Sequence, residues 1–193
     1  MAENTSRVVT RPPRKSAEAG EESRRPAFDG SGSVEAIFVT TRAGAPMVAS
    51  DAASAVAGCG LAGDRYCGRT GYWSGLDYCQ VTLIEAEALD EIVEMYGIDV
   101  GTGQHRRNIV TRGLPFRSLI GVQVSIGEAV LAYDRPRPPC RYIESITEPG
   151  MTRALAARRG GICMYVLKSG TIRVGDTIRV IAPSEHRVVT VVL

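Results

Sequence analysis

The sequence has few of the residues that build metal centres in small proteins. It contains two histidines in 193 residues, and its five cysteines include no C-x-x-C pair. Zinc and iron–sulfur sites require several cysteine or histidine ligands, often closely spaced. The sequence therefore argues against a structural zinc site and against an iron–sulfur cluster of the ferredoxin kind.

Long apolar runs are also missing, since no stretch reaches the about 18 residues of a membrane-spanning helix. The pair Arg24-Arg25 is followed by Pro26-Ala27-Phe28-Asp29-Gly30 rather than by an apolar segment, so export is not expected. The formal net charge is only +2, which gives no reason to expect nucleic acid or a membrane as a partner. We therefore expect a cytoplasmic protein.

The cysteines are odd in number and spread along the chain, a distribution that does not suggest a disulfide framework. Thiols of a cytoplasmic protein are expected to stay reduced. Cys163 lies in an apolar run and is predicted to belong to the core, and Cys79 is predicted to begin a strand. Cys59 and Cys67 flank a glycine-rich loop and are placed to approach a site there.

Composition divides the chain into two parts. Residues 1–31 carry mixed charges and one aromatic residue, Phe28. Such a segment buries too little apolar surface to offset the entropy lost on ordering. We therefore predict a flexible polar tail over residues 1–31 and one folded domain over residues 32–193, a length typical of a single domain.

The folded part is predicted to consist mainly of short strands, because apolar and polar residues alternate between glycine-containing turns. Glycine accepts the positive φ that a tight hairpin turn requires, which predicts hairpins around Gly127 and Gly175. The predicted strands and hairpins cover residues 34–39, 80–84, 122–132, 171–181 and 188–193. This pattern predicts a mainly β fold, a closed or nearly closed β-barrel with one or two short inserted α-helices.

One helix is clear from the sequence. Thr82 and Glu85 match a capping box, in which each side chain satisfies a free backbone N–H at the helix start. Gly97 is placed to end the helix with a left-handed cap. A second, shorter helix is predicted over residues 151–159, before Gly160-Gly161. The apolar face of the first helix is formed, at helical spacing, by Leu89, Ile92, Val93 and Tyr96.

The strongest candidate for chemistry is a cysteine in a proline-rich loop. Three prolines precede Cys140 and stiffen the backbone, and Arg137 and Arg141 flank the thiol. Nearby positive charge favours the thiolate, which attacks substrates and ligates metals. The alternative is a buried structural cysteine, which fits this rigid and electropositive setting less well. Cys140 is therefore the predicted working residue.

Two other polar stretches are candidate site segments. Asp64-Arg65 follows a glycine-rich loop whose backbone can approach a ligand, and the alternative is a tight turn with an Asp–Arg bridge. Arg106-Arg107-Asn108 is predicted to start a strand, so that one arginine faces a pocket and the other faces solvent. Guanidinium groups bind phosphate or carboxylate in a bidentate fork, and the alternative is a solvated loop. His105 is a candidate for lining the same site.

The order of these motifs resembles the signature of MOSC domains, the domain found at the C-terminus of molybdenum-cofactor sulfurases. The resemblance covers roughly residues 33–181, and the shared order of motifs makes it specific. It is carried by Gly63-Asp64-Arg65, Gln80-Val81-Thr82-Leu83-Ile84, Arg107-Asn108-Ile109-Val110, Gly113-Leu114-Pro115-Phe116, Leu119-Ile120-Gly121, Pro138-Pro139-Cys140, Gly160-Gly161-Ile162 and Ser169-Gly170-Thr171-Ile172-Arg173-Val174-Gly175-Asp176.

The resemblance implies a β-barrel in which Cys140 matches the family's characteristic cysteine. In the family that cysteine is proposed to carry sulfur as a persulfide or to ligate molybdenum held by a pterin dithiolene, the molybdenum cofactor (molybdopterin). Thiolate is a suitable ligand for such a sulfur-rich centre. The residues expected to bind the cofactor are Arg65, Arg106 and Arg107, for its phosphate, together with Asp64, Asn108 and Arg141.

The resemblance leaves three functions open. The chain is a molybdenum-cofactor-dependent reductase of N-hydroxylated small molecules, a sulfur transferase, or a non-catalytic barrel that serves as a binding scaffold for separate partner proteins. The sequence shows no pyridoxal-phosphate domain and no electron-transfer cluster. A cysteine desulfurase carrying pyridoxal phosphate, or an electron-transfer protein, is therefore expected to act in trans.

Overall fold

A computed structural model describes residues 30–76 and 78–183. The described part contains eleven strands: β1 Ser31–Val39, β2 Val48–Ala49, β3 Ala52–Val56, β4 Gly60–Leu61, β5 Val81–Glu85, β6 Ile109–Arg112, β7 Val122–Ile126, β8 Ala129–Pro136, β9 Ile162–Lys168, β10 Gly170–Arg173 and β11 Thr177–Pro183. Three short helices are inserted between them: α1 Ala86–Tyr96, α2 Arg141–Ile146 and α3 Met151–Ala154.

Seven of these strands close into a barrel. Their order is β1, β11, β7, β8, β9, β5 and β6, and β6 pairs with β1 to complete the circle. Only β5 and β6 run parallel, and α1 connects them, because parallel strands need a crossover. β3, β4 and β10 form a separate three-stranded sheet. The predicted mainly β fold with a closed barrel is confirmed.

Neighbouring residues of the same strand belong to two different cores. Leu83 and Ile109 pack in the barrel core, whereas the next residues, Ile84 and Val110, pack with Ile92 of α1 in a second core between barrel and helices. This follows from the alternation of side chains between the two faces of a strand. Strands buried on both faces explain the near-continuous apolar runs of the sequence.

The two predicted hairpins have different outcomes. Residues 122–132 fold into β7 and the first half of β8, which pair across Gly127 as predicted. Residues 171–181 do not form a hairpin, because β10 pairs with β3 while β11 enters the barrel between β7 and β1. The turn at Gly175-Asp176 bonds to β1 instead: the Gly175 N–H donates to the Val34 carbonyl at 2.8 Å, and the Val34 N–H donates to the Asp176 carbonyl at 2.9 Å.

The first predicted helix is confirmed as α1, but its start and its buried face differ from the prediction. It ends at Gly97, whose φ is 64° and whose N–H donates to the Val93 carbonyl at 3.0 Å. The capping box is wrong, because Thr82 lies in β5 and its hydroxyl donates to Asn108. Val93 is 52% exposed rather than buried. The buried residues of α1 are Ala86, Ala88 and Ile92.

The second predicted helix is interrupted. α3 covers only Met151–Ala154, and a 3-10 turn, Ala157–Gly160, follows it. Ala157 has a φ of 56°, which is incompatible with a continuous α-helix. The predicted strand at 188–193 and most of the predicted tail at 1–31 lie outside the described residues. Within the part that is described, no helix combines the length and apolar character needed to cross a membrane.

Candidate functional site

A large open cavity with a volume of about 950 Å³ lies beside β8 and β9. Its wall combines the second half of β8, the arginines before β6, the segment from Arg137 to α2, and the long connection 62–80 between β4 and β5. Long connections are uncommon in compact domains and often carry a function. Cys140 is part of the wall.

Cys140 immediately precedes α2 on an extended backbone, with φ −132° and ψ 166°. Its carbonyl accepts hydrogen bonds from the Ile143 N–H at 3.0 Å and the Thr152 hydroxyl at 3.4 Å. The base of its loop is fixed where the Arg137 N–H donates to the Gly161 carbonyl at 2.9 Å. The thiol is partly buried. A fixed backbone therefore presents this thiol at the cavity wall.

Arg107 ties three backbone segments together beneath this loop. Its Nε donates to the Gly160 carbonyl at 2.7 Å, its Nη1 to the His105 carbonyl at 3.1 Å, and its Nη2 to the Arg137 carbonyl at 3.2 Å. Burial, with the positive charge of Arg137 added, lowers the pKa of Arg107 to about 10. Arg107 therefore positions the Cys140 loop while its guanidinium stays at the cavity.

Arg106 and Arg107 do not face opposite sides. Both are buried, at 8% and 4% exposure, and both line the cavity, so the prediction that one meets solvent is wrong. The pair precedes β6, and Arg106 adopts a positive φ of 61°, which breaks the strand alternation. Arg106 uses Nη1 in a bond to the Ala45 carbonyl at 2.5 Å. Burial and nearby Arg65 lower the pKa of Arg106, so an anion in the cavity would stabilise its charge.

Asp64 is a buried acceptor behind the cavity. Its carboxylate accepts from the Arg65 guanidinium at 3.1 Å, the Asn108 amide at 3.0 Å, and the backbone N–H groups of Thr40 and Tyr66, both at 3.1 Å. The Asp–Arg bridge that the sequence left open is therefore present. Arg65 reaches the cavity, whereas Asp64 and Asn108 are buried and do not line it.

His105 and Arg141 also lie outside the cavity lining. His105 is completely buried, and its Nδ1 accepts from the Arg107 N–H at 3.0 Å. Its Nε2 has no hydrogen-bond partner within the described ranges. Burial first, and then Arg107, lower the pKa of His105 to about 3, so the imidazole is neutral. Arg141 is exposed.

The cavity carries an excess of positive charge. Among the described residues, six arginines line it against one carboxylate, Asp134. Arg65 pairs with buried Asp64, and Arg135 pairs with Asp134. Converging guanidinium groups select anions. The six are Arg65, Arg69, Arg106, Arg107, Arg135 and Arg137.

The cysteines depart from the expectation of five reduced thiols. Cys59 and Cys67 form a disulfide, because the turn at Gly63, with φ 77°, folds the connecting segment back on itself. Cys163 is buried in the core as predicted. Cys79, which precedes β5, is buried as well, and its sulfur lies 3.0 Å from that of Cys163.

An aromatic group at the cavity was not predicted from the sequence. Tyr66, Tyr72, Trp73 and Tyr78 in the long connection, and Tyr142 in α2, all line it. The signal was present, since four of the eleven aromatic residues fall within residues 66–78. Arg137 lies over the Tyr66 ring at 5.7 Å from its centroid.

Several solved structures share this fold. YuaD from Bacillus subtilis has a TM-score of 0.63 and 20% identity, with 78% of this chain and 95% of that chain covered. YiiM from Geobacillus stearothermophilus has a TM-score of 0.57 and 18% identity, with 78% and 75% covered. YiiM from Escherichia coli has a TM-score of 0.59 and 15% identity, with 81% and 73% covered. At these identities the likeness shows the fold alone. No curated protein sequence matches the chain.

A family model gives the relationship directly. The model of the MOSC domain matches residues 71–179, which is more than half of the chain. The matched segment contains part of the long connection 62–80, Arg106-Arg107 and the Cys140 loop, so it includes most of the cavity wall. Because the family model matches more than half of the chain, and the structure has the closed β-barrel that the sequence motifs implied, the chain belongs to the MOSC domain family.

Proposed function

We propose that the chain binds a molybdenum cofactor in the cavity, with Cys140 as metal ligand, and reduces N-hydroxylated small molecules. The observation that carries the proposal is a partly buried thiol on the wall of a cavity of about 950 Å³ that six arginines line. Volume, soft ligand and positive charge are the three properties that a large anionic, sulfur-rich metal group requires.

The side chains at the cavity suit a metal cofactor that brings most of the metal's ligands with it. Among the residues described, no cluster of three or more histidine, cysteine or acidic side chains offers itself to a bare metal ion. The surrounding arginines repel a free cation but attract a phosphate. One thiolate, that of Cys140, would then add a soft protein ligand to a metal that a pterin dithiolene already holds.

The chain's own residues have separate roles in this proposal. Arg65, Arg106 and Arg107 bind the phosphate, and Asp64 fixes Arg65 from behind through their 3.1 Å ion pair. Arg107 also holds the loop of Cys140 through the Arg137 carbonyl. The bound cofactor supplies two-electron redox chemistry. We propose that the electrons come from a separate electron-transfer protein.

A sulfur carrier is the second candidate. Cys140 is only partly buried and the cavity is open, so a separate pyridoxal-phosphate desulfurase can deliver sulfur to the thiol. A persulfide adds one sulfur atom, which uses little of the cavity. The cavity volume therefore favours the cofactor over the persulfide.

The test is metal and pterin content after expression with ample molybdenum, in wild type, Cys140→Ser, Arg106→Gln and Arg158→Gln. Arg158 is a matched control, because it is an exposed arginine that pairs with Glu91 outside the cavity. We expect near-stoichiometric molybdenum and pterin in wild type and Arg158→Gln, loss of metal in Cys140→Ser, and loss of pterin in Arg106→Gln. Metal-free wild type that gains one sulfur atom at Cys140 from a desulfurase would establish the sulfur carrier instead. If the wild type binds no metal and gains no sulfur, the non-catalytic scaffold is the function that remains.

A further inference from the structure

Large apolar side chains are exposed where the long connection 62–80 borders the cavity. Tyr72 is 56%, Trp73 41%, Leu76 81% and Tyr78 71% exposed, and all four line the cavity. Single exposed apolar residues are ordinary, but a contiguous group at a cavity marks a ligand surface. These residues form what we call the aromatic rim, together with Tyr142.

Three side chains of the aromatic rim contact one another through their rings. Tyr72 stacks on Tyr142 with centroids 3.7 Å apart and planes 15° apart. Trp73 meets Tyr72 edge to face at 5.0 Å and 87°. Tyr142 lies two residues after Cys140, so the stack connects the long connection to the segment that carries the thiol. A flat molecule that extends this stack would lie in the cavity that Cys140 also lines.

A cation accompanies the rim. Arg69 lines the cavity, is exposed, and has no hydrogen bond or ion pair from its guanidinium within the described residues. Its φ of 52° is uncommon for a residue with a side chain, and such strain tends to occur at functional positions. Arg65 and Arg107 are buried deeper and are engaged by Asp64 and by backbone carbonyls. Among the described residues, Arg69 is therefore a cation that is available to a second anion at the cavity.

We propose that the substrate of this cavity is a planar aromatic molecule that carries a carboxylate or phosphate group. The ring extends the Tyr72–Tyr142 stack, and Arg69 binds the anionic group. Stacking on aromatic side chains selects a flat ring, and the guanidinium selects the charge. This inference rests on the proposed function in that it names the substrate class of the same site.

Fluorescence of Trp73 measures binding at the rim, because it is the only tryptophan of the chain. The probes are 4-nitrobenzoate, 4-nitrophenyl phosphate and the neutral 4-nitrobenzamide, all of which quench indole emission on contact. Benzoate and cyclohexanecarboxylate serve as competitors, since they have the same charge but only benzoate is flat. We expect both anionic probes to bind about two- to fivefold more tightly than 4-nitrobenzamide, because an ion pair with an exposed guanidinium such as that of Arg69 contributes only modestly. The tighter of the two anionic probes identifies the oxyanion.

Variants separate the ring from the charge. Tyr142→Leu should weaken binding of the anionic probes about two- to tenfold, whereas Tyr142→Phe should keep it, because the phenyl ring retains the stack. Arg69→Gln should remove the preference for the anionic probes. Tyr96→Leu is the matched control, since Tyr96 contacts Arg159 on α1 away from the cavity lining. Far-ultraviolet circular dichroism shows that each variant is folded.

Equal affinity for neutral and anionic probes, equal competition by benzoate and cyclohexanecarboxylate, or unchanged binding in Tyr142→Leu would each overturn the proposal. Molybdenum content is measured on the same preparations. Selective quenching without metal would uphold the ligand class and reject the cofactor, whereas bound metal without selective quenching would do the reverse. The two proposals can therefore fail separately.

Discussion

Replacing Asn108 by alanine should strongly destabilise the fold, because its side-chain amide makes four buried hydrogen bonds. Its Oδ1 accepts from the Thr82 N–H at 3.2 Å and from the Thr82 hydroxyl at 2.8 Å. Its Nδ2 donates to the Phe38 carbonyl at 3.1 Å and to the Asp64 carboxylate at 3.0 Å. Asn108 and Thr82 are 0% exposed, so no water replaces the lost partner.

The magnitude follows from these four bonds. Three neutral bonds contribute about 1 kcal/mol each, and the bond to the Asp64 carboxylate contributes about 2 kcal/mol. Asn108→Ala should therefore lower the free energy of unfolding by about 5 kcal/mol, a large share of the roughly 5–15 kcal/mol of a typical domain. Thr82→Val removes the two bonds of one hydroxyl and should cost about 2 kcal/mol, which keeps a folded variant for measurement.

Urea unfolding followed by circular dichroism measures both losses. Gln104→Ala is the matched control, because this amide side chain makes its hydrogen bonds at the surface with Thr102. We expect it to change the free energy of unfolding by less than about 0.5 kcal/mol. A loss below about 2 kcal/mol for Asn108→Ala, with an unchanged urea dependence, would refute the argument that this amide connects β5, β6 and the Asp64 loop.

Three further variants test separate features. The pKa of His105 is about 3 in the fold against an ordinary 6.5, so the unfolded chain takes up a proton first as the pH falls. The free energy of unfolding should therefore fall by about 1.4 kcal/mol per pH unit from pH 6.5 towards pH 3. Urea unfolding at several pH values should show a flatter pH dependence of this free energy in His105→Gln. Without reduction, three of the five cysteines should be alkylated after denaturation, and five alkylated cysteines in the wild type would contradict the disulfide. Cys59→Ser, which breaks the bond to Cys67, should lower the free energy of unfolding by roughly 2–3 kcal/mol in thermal unfolding. A lysine at position 107 cannot reproduce the hydrogen bonds that Arg107 donates to three backbone carbonyls. The Cys140 thiol of Arg107→Lys should therefore react with iodoacetamide at a rate different from that of the wild type. An identical rate would show that Arg107 does not position Cys140.

The sequence by itself determined the features that depend on neighbouring residues. Alternation and glycine turns predicted the β7–β8 hairpin, and Gly97 ended α1 as expected, because both depend on local backbone sterics. The prolines before Cys140 and its flanking arginines singled out a free cysteine that lines the cavity. The order of short motifs was enough to indicate the MOSC family, which the family model bears out.

Only the tertiary structure decided which distant segments meet. The turn at Gly175 looks the same in sequence whether it closes a hairpin or, as here, bonds to Val34 in β1. The stack of Tyr72 on Tyr142 joins residues far apart in the chain, and no local pattern encodes it. The direction of Arg106 depends on a positive φ that the strand assumption could not supply. Local sequence constrains φ, ψ and side-chain chemistry, whereas strand partners, ring stacks and cavity walls depend on long-range packing, because barrel closure sets them for all segments together.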